Sequence, residues 1–329
     1  MIRYRVNGRI VFLSSFIAMI SVSRAAPLDE MRLAPPRDRL AAEKLSDEKF
    51  LDLIQRRAFD FFWNEADPKT GLIKDRAKNF DDVEPFDIAS IASVGFGLPA
   101  ICLAEKRGWI SKSNAYERVL TTLRFFRDRM EQTHGFYRHF VNMHTGERAW
   151  NSEISSVDSA LFIMGALFAA EYYKGTEVDR IATALYERVD WNWMRGGGKF
   201  MTMGTGDPNG PFIGAWWDAY NESVFVNLLA LGSPAHSVPA NLWTDMNRNR
   251  ETYAGYECMA FGPLFGHQYH GIFYDFRGKH DAVADYYENG IVATLANRRY
   301  CIDRMKDFRT YGTNILGLTA CDGPDGYKA

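Results

Sequence analysis

Two kinds of helical segment alternate along this chain, and the alternation constrains its fold more than any other feature. One kind is amphipathic, with apolar residues at the i, i+3, i+4 and i+7 positions of a helix; it comprises 47–62, 115–130 and 177–189. The other kind is almost entirely apolar or small; it comprises 86–103, 155–173 and 223–231, and a fourth inner segment at 291–302, or just before it, continues the rhythm. Helices of the second kind should be buried on most sides. The alternation predicts concentric helix layers, an all-α α/α toroid, rather than a four-helix bundle.

Strand patterns are limited to two short runs, 135–141 and 199–203, which suit hairpins within loops. A toroid that closes with six helix pairs needs twelve helices, and the sequence between 47 and 302 indicates fewer helices than that. We therefore expect the toroid to be incomplete at its C-terminus and the chain to be a fragment or a truncated product.

The composition excludes several classes of protein. Hydrophobic residues make up 47% of the chain and charged residues 24%, so a large core can form. The formal net charge of −2 lacks the excess of basic residues that a nucleic-acid partner requires. Aromatic residues reach 14%, more than a core requires, so we expect some of them to face a ligand.

The first 25 residues have the pattern of a secretory signal peptide. Three arginines precede an apolar run from Ile10 to Val22, and small residues ending at Ala25 follow it. The run is shorter than the roughly 20 residues that span a bilayer, which argues against an uncleaved anchor. We expect a signal peptide at 1–25, a loose leader at 26–45 and one catalytic domain at 46–329. The mature protein would be secreted or periplasmic, without a membrane contact.

No metal or cofactor site stands out. The four cysteines lack CxxC spacing, and His267 and His270 have no third ligand at a recognisable distance in sequence. Gly95 to Ala100 match the GxGxxA dinucleotide pattern, but the motif lies inside an apolar helical stretch and no strand is expected before it. Close helix packing or a kink is therefore the better interpretation.

Three carboxylates are the candidates for acid/base chemistry. Glu153 and Asp158 flank the start of one apolar helix, and Glu222 stands at the start of the next, behind a loop rich in aromatic residues. The alternative for Asp158 is a capping box with Ser155, and the alternative for Glu222 is a carboxylate placed to suit a helix N-terminus. The pattern alone leaves both interpretations open. Neighbouring tryptophans favour a sugar ligand, because sugar rings stack on indole.

Five ordered motifs give the chain from about residue 48 onward a specific family resemblance. They are Gly135–Phe140, Ser152–Asp158, Tyr220–Glu222, Leu231–His236 and Gly317–Pro324. With these motifs the chain resembles the glycoamylase-like domain of glycoside hydrolase family 144. Members of that family are secreted or periplasmic endo-β-1,2-glucanases with an (α/α)6 barrel. Ser237 and Cys321 depart from the family pattern, at a turn and beside Asp322, and neither change touches a carboxylate.

The resemblance implies roles for individual residues. Glu222 would be the general acid, with Asp158 and Glu153 nearby as further catalytic candidates. The expected substrate contacts are Asp87, His139, Trp150, Trp216, Trp217, Tyr220, Asn221, His267, Gln268 and Asp322.

We expect a monomer that hydrolyses β-1,2-glucan within the chain, with inversion and without a cofactor. The alternatives are an α-glucan-acting glucoamylase-like enzyme, an exo-acting enzyme that releases sophoro-oligosaccharides, and a module that binds or assembles polysaccharide without turnover.

Overall fold

A computed structural model describes residues 3–6, 9–12, 45–77, 86–323 and 326–328 of the chain. The predicted signal peptide and leader lie outside the described residues, apart from Leu45 and two short strands in the first twelve positions. Within the described ranges, no helix combines the length and the apolar character that crossing a membrane requires.

The fold is rich in helix. The α-helices are α1 (Asp47–Asn64), α2 (Ile91–Lys106), α3 (Lys112–Asp128), α4 (Ser156–Tyr172), α5 (Glu177–Glu187), α6 (Trp191–Met194), α7 (Ser223–Gly232), α8 (Asn241–Thr244), α9 (Phe265–Gln268) and α10 (Tyr286–Asp303), and a 3-10 helix spans Tyr269–Ile272. The strands are β1 (Arg3–Val6), β2 (Arg9–Phe12), β3 (Ile88–Ser90), β4 (Tyr137–Arg138), β5 (Phe140–Asn142), β6 (Ile154–Ser155), β7 (Gly204–Thr205), β8 (Arg250–Tyr253), β9 (Tyr256–Met259), β10 (Cys321–Gly323) and β11 (Gly326–Lys328).

Helices α2, α4 and α7 form an inner row, as the apolar segments predict. Helix α4 packs against α2 on one side and α7 on the other, and most of its residues are buried. Helices α1, α3 and α5 pack outside this row and bury one face each. The alternation of apolar and amphipathic segments therefore becomes two helix layers around one large core.

Two glycines allow the backbones of α2 and α4 to approach each other closely. A Cβ on Gly165 of α4 would lie 2.0 Å from the carbonyl oxygen of Gly95 on α2, and a Cβ on Gly95 would lie 2.4 Å from that of Leu161. The GxGxxA motif thus serves close helix packing. A strand, β3, does precede α2, contrary to expectation, but Gly95 and Gly97 lie inside the helix and not in the turn that a dinucleotide site requires.

Two predicted apolar faces are more exposed than the sequence pattern suggests. In α1, Phe50, Leu51 and Ile54 in the first half of the helix are exposed, and the buried residue is Phe59, nearer its end. In α10, predicted to be buried on most sides, one face packs against β9. Its apolar residues on the other face are exposed; they are Tyr287, Ile291 and Leu295.

The short strands connect the loops before the inner helices. Strand β6 pairs with β4 and β7 in an antiparallel sheet at the N-terminus of α4, and β3 pairs with β5 beside the N-terminus of α2. The predicted strand run at 135–141 corresponds to β4 and β5. The run at 199–203 contributes only an isolated bridge from Thr202 to Trp216, and the strand begins at Gly204. All four cysteines are free.

Candidate active site

His139 lies between two carboxylates at the centre of the site. Its Nδ1 is 3.0 Å from Oε1 of Glu153, and its Nε2 is 3.3 Å from Oδ1 of Asp158. The backbone holds it in this place, because its amide donates to the carbonyl of Glu153 and its carbonyl accepts from the amide of Ile91 at the start of α2. The sheet of β4 and β6 thus aligns the two loops that carry the cluster.

The electrostatics of the cluster favour a charged imidazole. Burial alone would lower the pKa of His139. The charges of Asp158 and Glu153 outweigh the effect of burial and raise the pKa of the imidazole to about 9. Burial raises the pKa of Asp158, and His139 opposes that effect. The cluster at neutral pH is best described as an imidazolium held between two carboxyl groups.

Within the described residues, the same three side chains also form a group that could hold a metal ion. One ligand atom from each of His139, Glu153 and Asp158 lies within 4.8 Å of the others. A metal would need a lone pair on a ring nitrogen. Since both nitrogens of His139 already face carboxylate oxygens, the ion-paired arrangement accounts for the geometry.

Ser155, not Asp158, provides the helix cap of α4. The Ser155 hydroxyl accepts from the backbone amide of Asp158 at 3.2 Å and donates to Oδ2 of Asp158 at 2.5 Å. The predicted capping motif is therefore present. It leaves the carboxylate of Asp158 facing His139, so the cap and the cluster share one residue.

Glu222 lies beside this cluster at the start of α7. Its Oε1 accepts a 2.7 Å hydrogen bond from the hydroxyl of Tyr269. Burial raises the pKa of Glu222 to about 7; Tyr269 and His139 lower it, and the charge of Asp158 raises it. The three predicted catalytic carboxylates thus lie close enough to act on one another.

Asp75 is a further acidic group of the site that the sequence did not reveal. Its charge raises the pKa values of His139 and Asp158, although in neither residue is it the largest cause. Asp75 pairs at 2.5 Å with Arg76, which also binds Asp322 at 2.9 Å. This chain of charges connects the loop before β3 to the hairpin of β10 and β11, where the predicted contact Asp322 lies.

Of the predicted tryptophans, two are exposed and one is not. Trp150 and Trp216 expose 43% and 47% of their surface, which leaves a face free for a sugar ring. Trp150 packs edge-on against Phe140, whose ring stacks on His139 at 3.7 Å. Trp217 is buried, and its indole nitrogen donates to the hydroxyl of Ser156 at 2.8 Å. Trp217 therefore holds its loop against α4 and presents no face to a ligand.

Tyr220 and His267 lie in a second buried cluster rather than on an open surface. The hydroxyl of Tyr220 is 3.2 Å from Nδ1 of His267 and accepts from the side-chain amide of Asn289 at 3.1 Å. The other ring nitrogen of His267 faces the carbonyl of Phe261 at 2.9 Å. Burial lowers the pKa of His267, which keeps this ring neutral. Both ring nitrogens have internal partners, so the structure does not offer His267 to a substrate.

The remaining predicted contacts have partners within the protein. Asn221 accepts from the amide of Ser223 and so orders the first turn of α7. Gln268 donates to the hydroxyl of Thr294, on α10. Asp87 lies 3.4 Å from Nε2 of His144.

Comparison with known proteins agrees with this architecture. The family model described as "Putative glucoamylase" matches residues 215–329. A solved "putative glucoamylase" from Bacteroides uniformis is 30% identical, with a TM-score of 0.80 over 87% of this chain and 74% of the other. An endo-β-1,2-glucanase from Chitinophaga pinensis, solved with sophorotriose and glucose, is 25% identical, with the same TM-score and coverage.

A curated relative has a different mode of action in its name. It is the exo β-1,2-glucooligosaccharide sophorohydrolase (non-reducing end) of Parabacteroides distasonis, 24% identical over 334 residues. The match covers 87% of this chain but 44% of the relative, so the chain spans less than half of that protein's length. On the identity and coverage of the Bacteroides uniformis structure, the chain belongs to the glycoamylase-like family of glycoside hydrolases.

Proposed function

We propose that the chain hydrolyses β-1,2-linked glucan and that Glu222 is its general acid. One observation carries the assignment: Glu222 is partly buried beside the His139 cluster, with a hydrogen bond from Tyr269, and its pKa is raised to about 7. A general acid of a glycosidase must hold a proton near neutral pH, and a raised carboxyl pKa is the usual way to do so.

The cluster beside Glu222 has a charge that suits the reaction. The pKa of Glu153 is lowered, so its carboxyl group is ionised at neutral pH, and Asp158 acts on Glu222 through its charge. A negative environment stabilises the oxocarbenium-like transition state of glycoside hydrolysis. We propose inversion, with Glu153 or Asp158 as the base that activates water. In inverting enzymes the carboxyl groups of the acid and the base are about 6.5–9.5 Å apart, which leaves room for the attacking water.

The names of the relatives support the choice of substrate. Two of them act on β-1,2-linked glucose chains by their printed names, and Trp150 and Trp216 offer exposed rings on which sugars could stack. Endo cleavage, as named for the Chitinophaga pinensis protein, is our first candidate. Exo release of sophorose, as named for the Parabacteroides distasonis protein, is the second. We further propose that the two helix layers belong to an (α/α)6 toroid and that the protein is exported by the signal at 1–25.

A ring-shaped substrate separates the two modes of action. An endo enzyme opens cyclic β-1,2-glucan, whereas an exo enzyme finds no chain end in it. We expect a ladder of products from both linear and cyclic glucan, with starch untouched. Release of sophorose alone from linear chains would support the exo mode, and cleavage of starch alone would contradict the proposed substrate. The anomer of fresh product, followed by NMR, tests inversion.

The variant Glu222→Gln tests the assigned acid. Loss of a general acid reduces the rate by about 10²–10⁴. Glu187→Gln, an exposed residue at the end of α5, is the matched control and should keep full activity. Unchanged hydrolysis by Glu222→Gln would remove this residue from the mechanism. A native chain that binds glucan without cleaving it would indicate the non-catalytic alternative.

The same assignment fixes a pH dependence. The acid works in its protonated form, so kcat/KM should fall as the pH rises through about 7, the pKa of Glu222. A rate that stays constant through this range would contradict the assignment of Glu222.

A further inference from the structure

Tyr269 and Glu222 are 47 positions apart in the chain but meet in the site. Tyr269 begins the 3-10 helix after α9, and its hydroxyl donates to Oε1 of Glu222 at 2.7 Å. Neither the family motifs nor the periodicity of the sequence indicate this tyrosine. Within the described part of the chain, Tyr269 is the residue whose side chain donates a hydrogen bond to Glu222.

The ring of Tyr269 is fixed against the helix that carries Glu222. Phe225, one turn further along α7, meets the Tyr269 ring edge to face at 5.2 Å between centroids. Phe265 makes a similar contact at 5.1 Å, and Phe96 of the inner helix α2 lies at 6.2 Å. Helix α7 therefore holds Tyr269 at two points, through the carboxyl of Glu222 and the ring of Phe225. The hydroxyl cannot move far without losing one of these contacts.

We propose that Tyr269 is a positioning residue for the general acid: its hydroxyl fixes Oε1 of Glu222, so that Oε2 carries the proton toward the leaving oxygen. This inference rests on the function proposed above. In a neutral carboxyl group the carbonyl-type oxygen is the better acceptor, so a donor at Oε1 leaves the proton on Oε2. Among the described residues, the side-chain hydrogen bond of Glu222 is to Oε1, and Oε2 accepts none. That oxygen is therefore available to contact a substrate.

The charges around Glu222 come from several elements. Asp158 of α4, His139 between β4 and β5, and Tyr327 of β11 all interact electrostatically with it, in addition to Tyr269. Burial and the nearby Glu222 raise the pKa of Tyr269 well above its usual value, so Tyr269 remains a donor wherever Glu222 titrates. A hydrogen bond to the ionised form lowers the pKa of Glu222, so its removal should raise that pKa further.

Tyr269→Phe tests the proposal, because it removes the hydroxyl and keeps the ring. A hydrogen bond to the ionised carboxylate favours that form, so its loss should move the midpoint of the Glu222 titration upward by about one pH unit or more. The probe is the side-chain carboxyl carbon of Glu222 in glutamate-labelled protein, assigned with Glu222→Gln. The basic limb of the kcat/KM profile should move upward by the same amount, and kcat should fall about tenfold with little change in KM.

Tyr186→Phe is the matched control. Tyr186 donates at 2.6 Å to the carbonyl of Leu229, near the other end of α7, so the same atom is removed from a bond to the same helix. This variant should leave the Glu222 titration in place. An unmoved titration in Tyr269→Phe, even with reduced stability, would overturn the proposal, because it would show a packing role alone.

Two further outcomes are separable. If Tyr269→Phe does not fold, native protein labelled at the tyrosine ring carbon bearing the hydroxyl serves instead. One tyrosine signal should follow the titration of Glu222 and lose this dependence in Glu222→Gln; if no signal does so, the proposal is wrong. If the native chain cleaves no glucan but the titration shifts in Tyr269→Phe, the proposed function fails and the control of Glu222 by Tyr269 stands.

Discussion

Nε2 of His139 lies 3.3 Å from Oδ1 of Asp158, in the first turn of the buried helix α4. Asp158 exposes only 8% of its side chain, so its charge depends on this partner and on Ser155. A buried ion pair adds little net stability, but removing one partner leaves an uncompensated charge. The pair therefore makes His139 important for the fold as well as for the site.

His139→Gln should lower the free energy of unfolding by about 1–3 kcal/mol, because two carboxyl groups lose their cationic partner. Urea unfolding at neutral pH measures this loss. His280→Gln, at an exposed histidine, is the control and should change stability by less than about 0.5 kcal/mol. Equal stability of the two variants would show that the ion pair contributes nothing.

The same pair predicts how stability depends on pH. His139 has a raised pKa, about 9 against 6.5 for an ordinary histidine, so the folded state binds its proton more tightly than the unfolded state. Its contribution is complete below pH 6.5 and is lost as the pH rises through about 9. The difference in melting temperature between the native protein and His139→Gln should therefore shrink across this interval. A difference that is constant or grows with pH would contradict the sign of the shift.

Gly165→Ala should destabilise the fold, although alanine favours a helix over glycine by about 1 kcal/mol. The new Cβ would lie 2.0 Å from the carbonyl oxygen of Gly95, so α2 and α4 must separate, at a cost of about 1–3 kcal/mol or more. Thermal unfolding measures the effect. Gly312→Ala, where a Cβ meets nothing within 4 Å, is the control. A melting temperature for Gly165→Ala at or above the native value would show that the helix contact is loose.

The helix layers could be predicted because their signal is repetitive. Long apolar runs mark the inner helices in the sequence, and the bounds of α4 and α7 agree with the predicted segments 155–173 and 223–231 within a residue. The exposure of Phe50, Leu51 and Ile54 could not be predicted. Periodicity identifies the apolar face of a helix, but not how much of that face has a neighbour.

The site was predictable only in part, for a related reason. Glu153, Asp158 and Glu222 stand at or beside the starts of inner helices, and this placement is visible in the sequence. Tyr269 lies in a segment without helical periodicity, and its partner is 47 positions away. Asp75 lies in a loop with no motif. Contacts of this kind depend on the packing of α7 against the segment after α9, which no local pattern encodes.

The adjacent residues Trp216 and Trp217 provide the last prediction, because the structure gives them opposite roles. Trp216 is exposed and Trp217 is buried with a hydrogen bond to Ser156. Trp216→Ala should weaken glucan binding, raising KM about two- to tenfold since stacking contributes about 0.5–1.5 kcal/mol, with little loss of stability. Trp217→Phe should lower stability by about 1–3 kcal/mol, because the Ser156 hydroxyl loses its donor, and should leave KM near the native value. Calorimetric unfolding and steady-state kinetics on both variants separate these effects. The reverse pattern would show that Trp217 contacts the glucan and that Trp216 stabilises the loop.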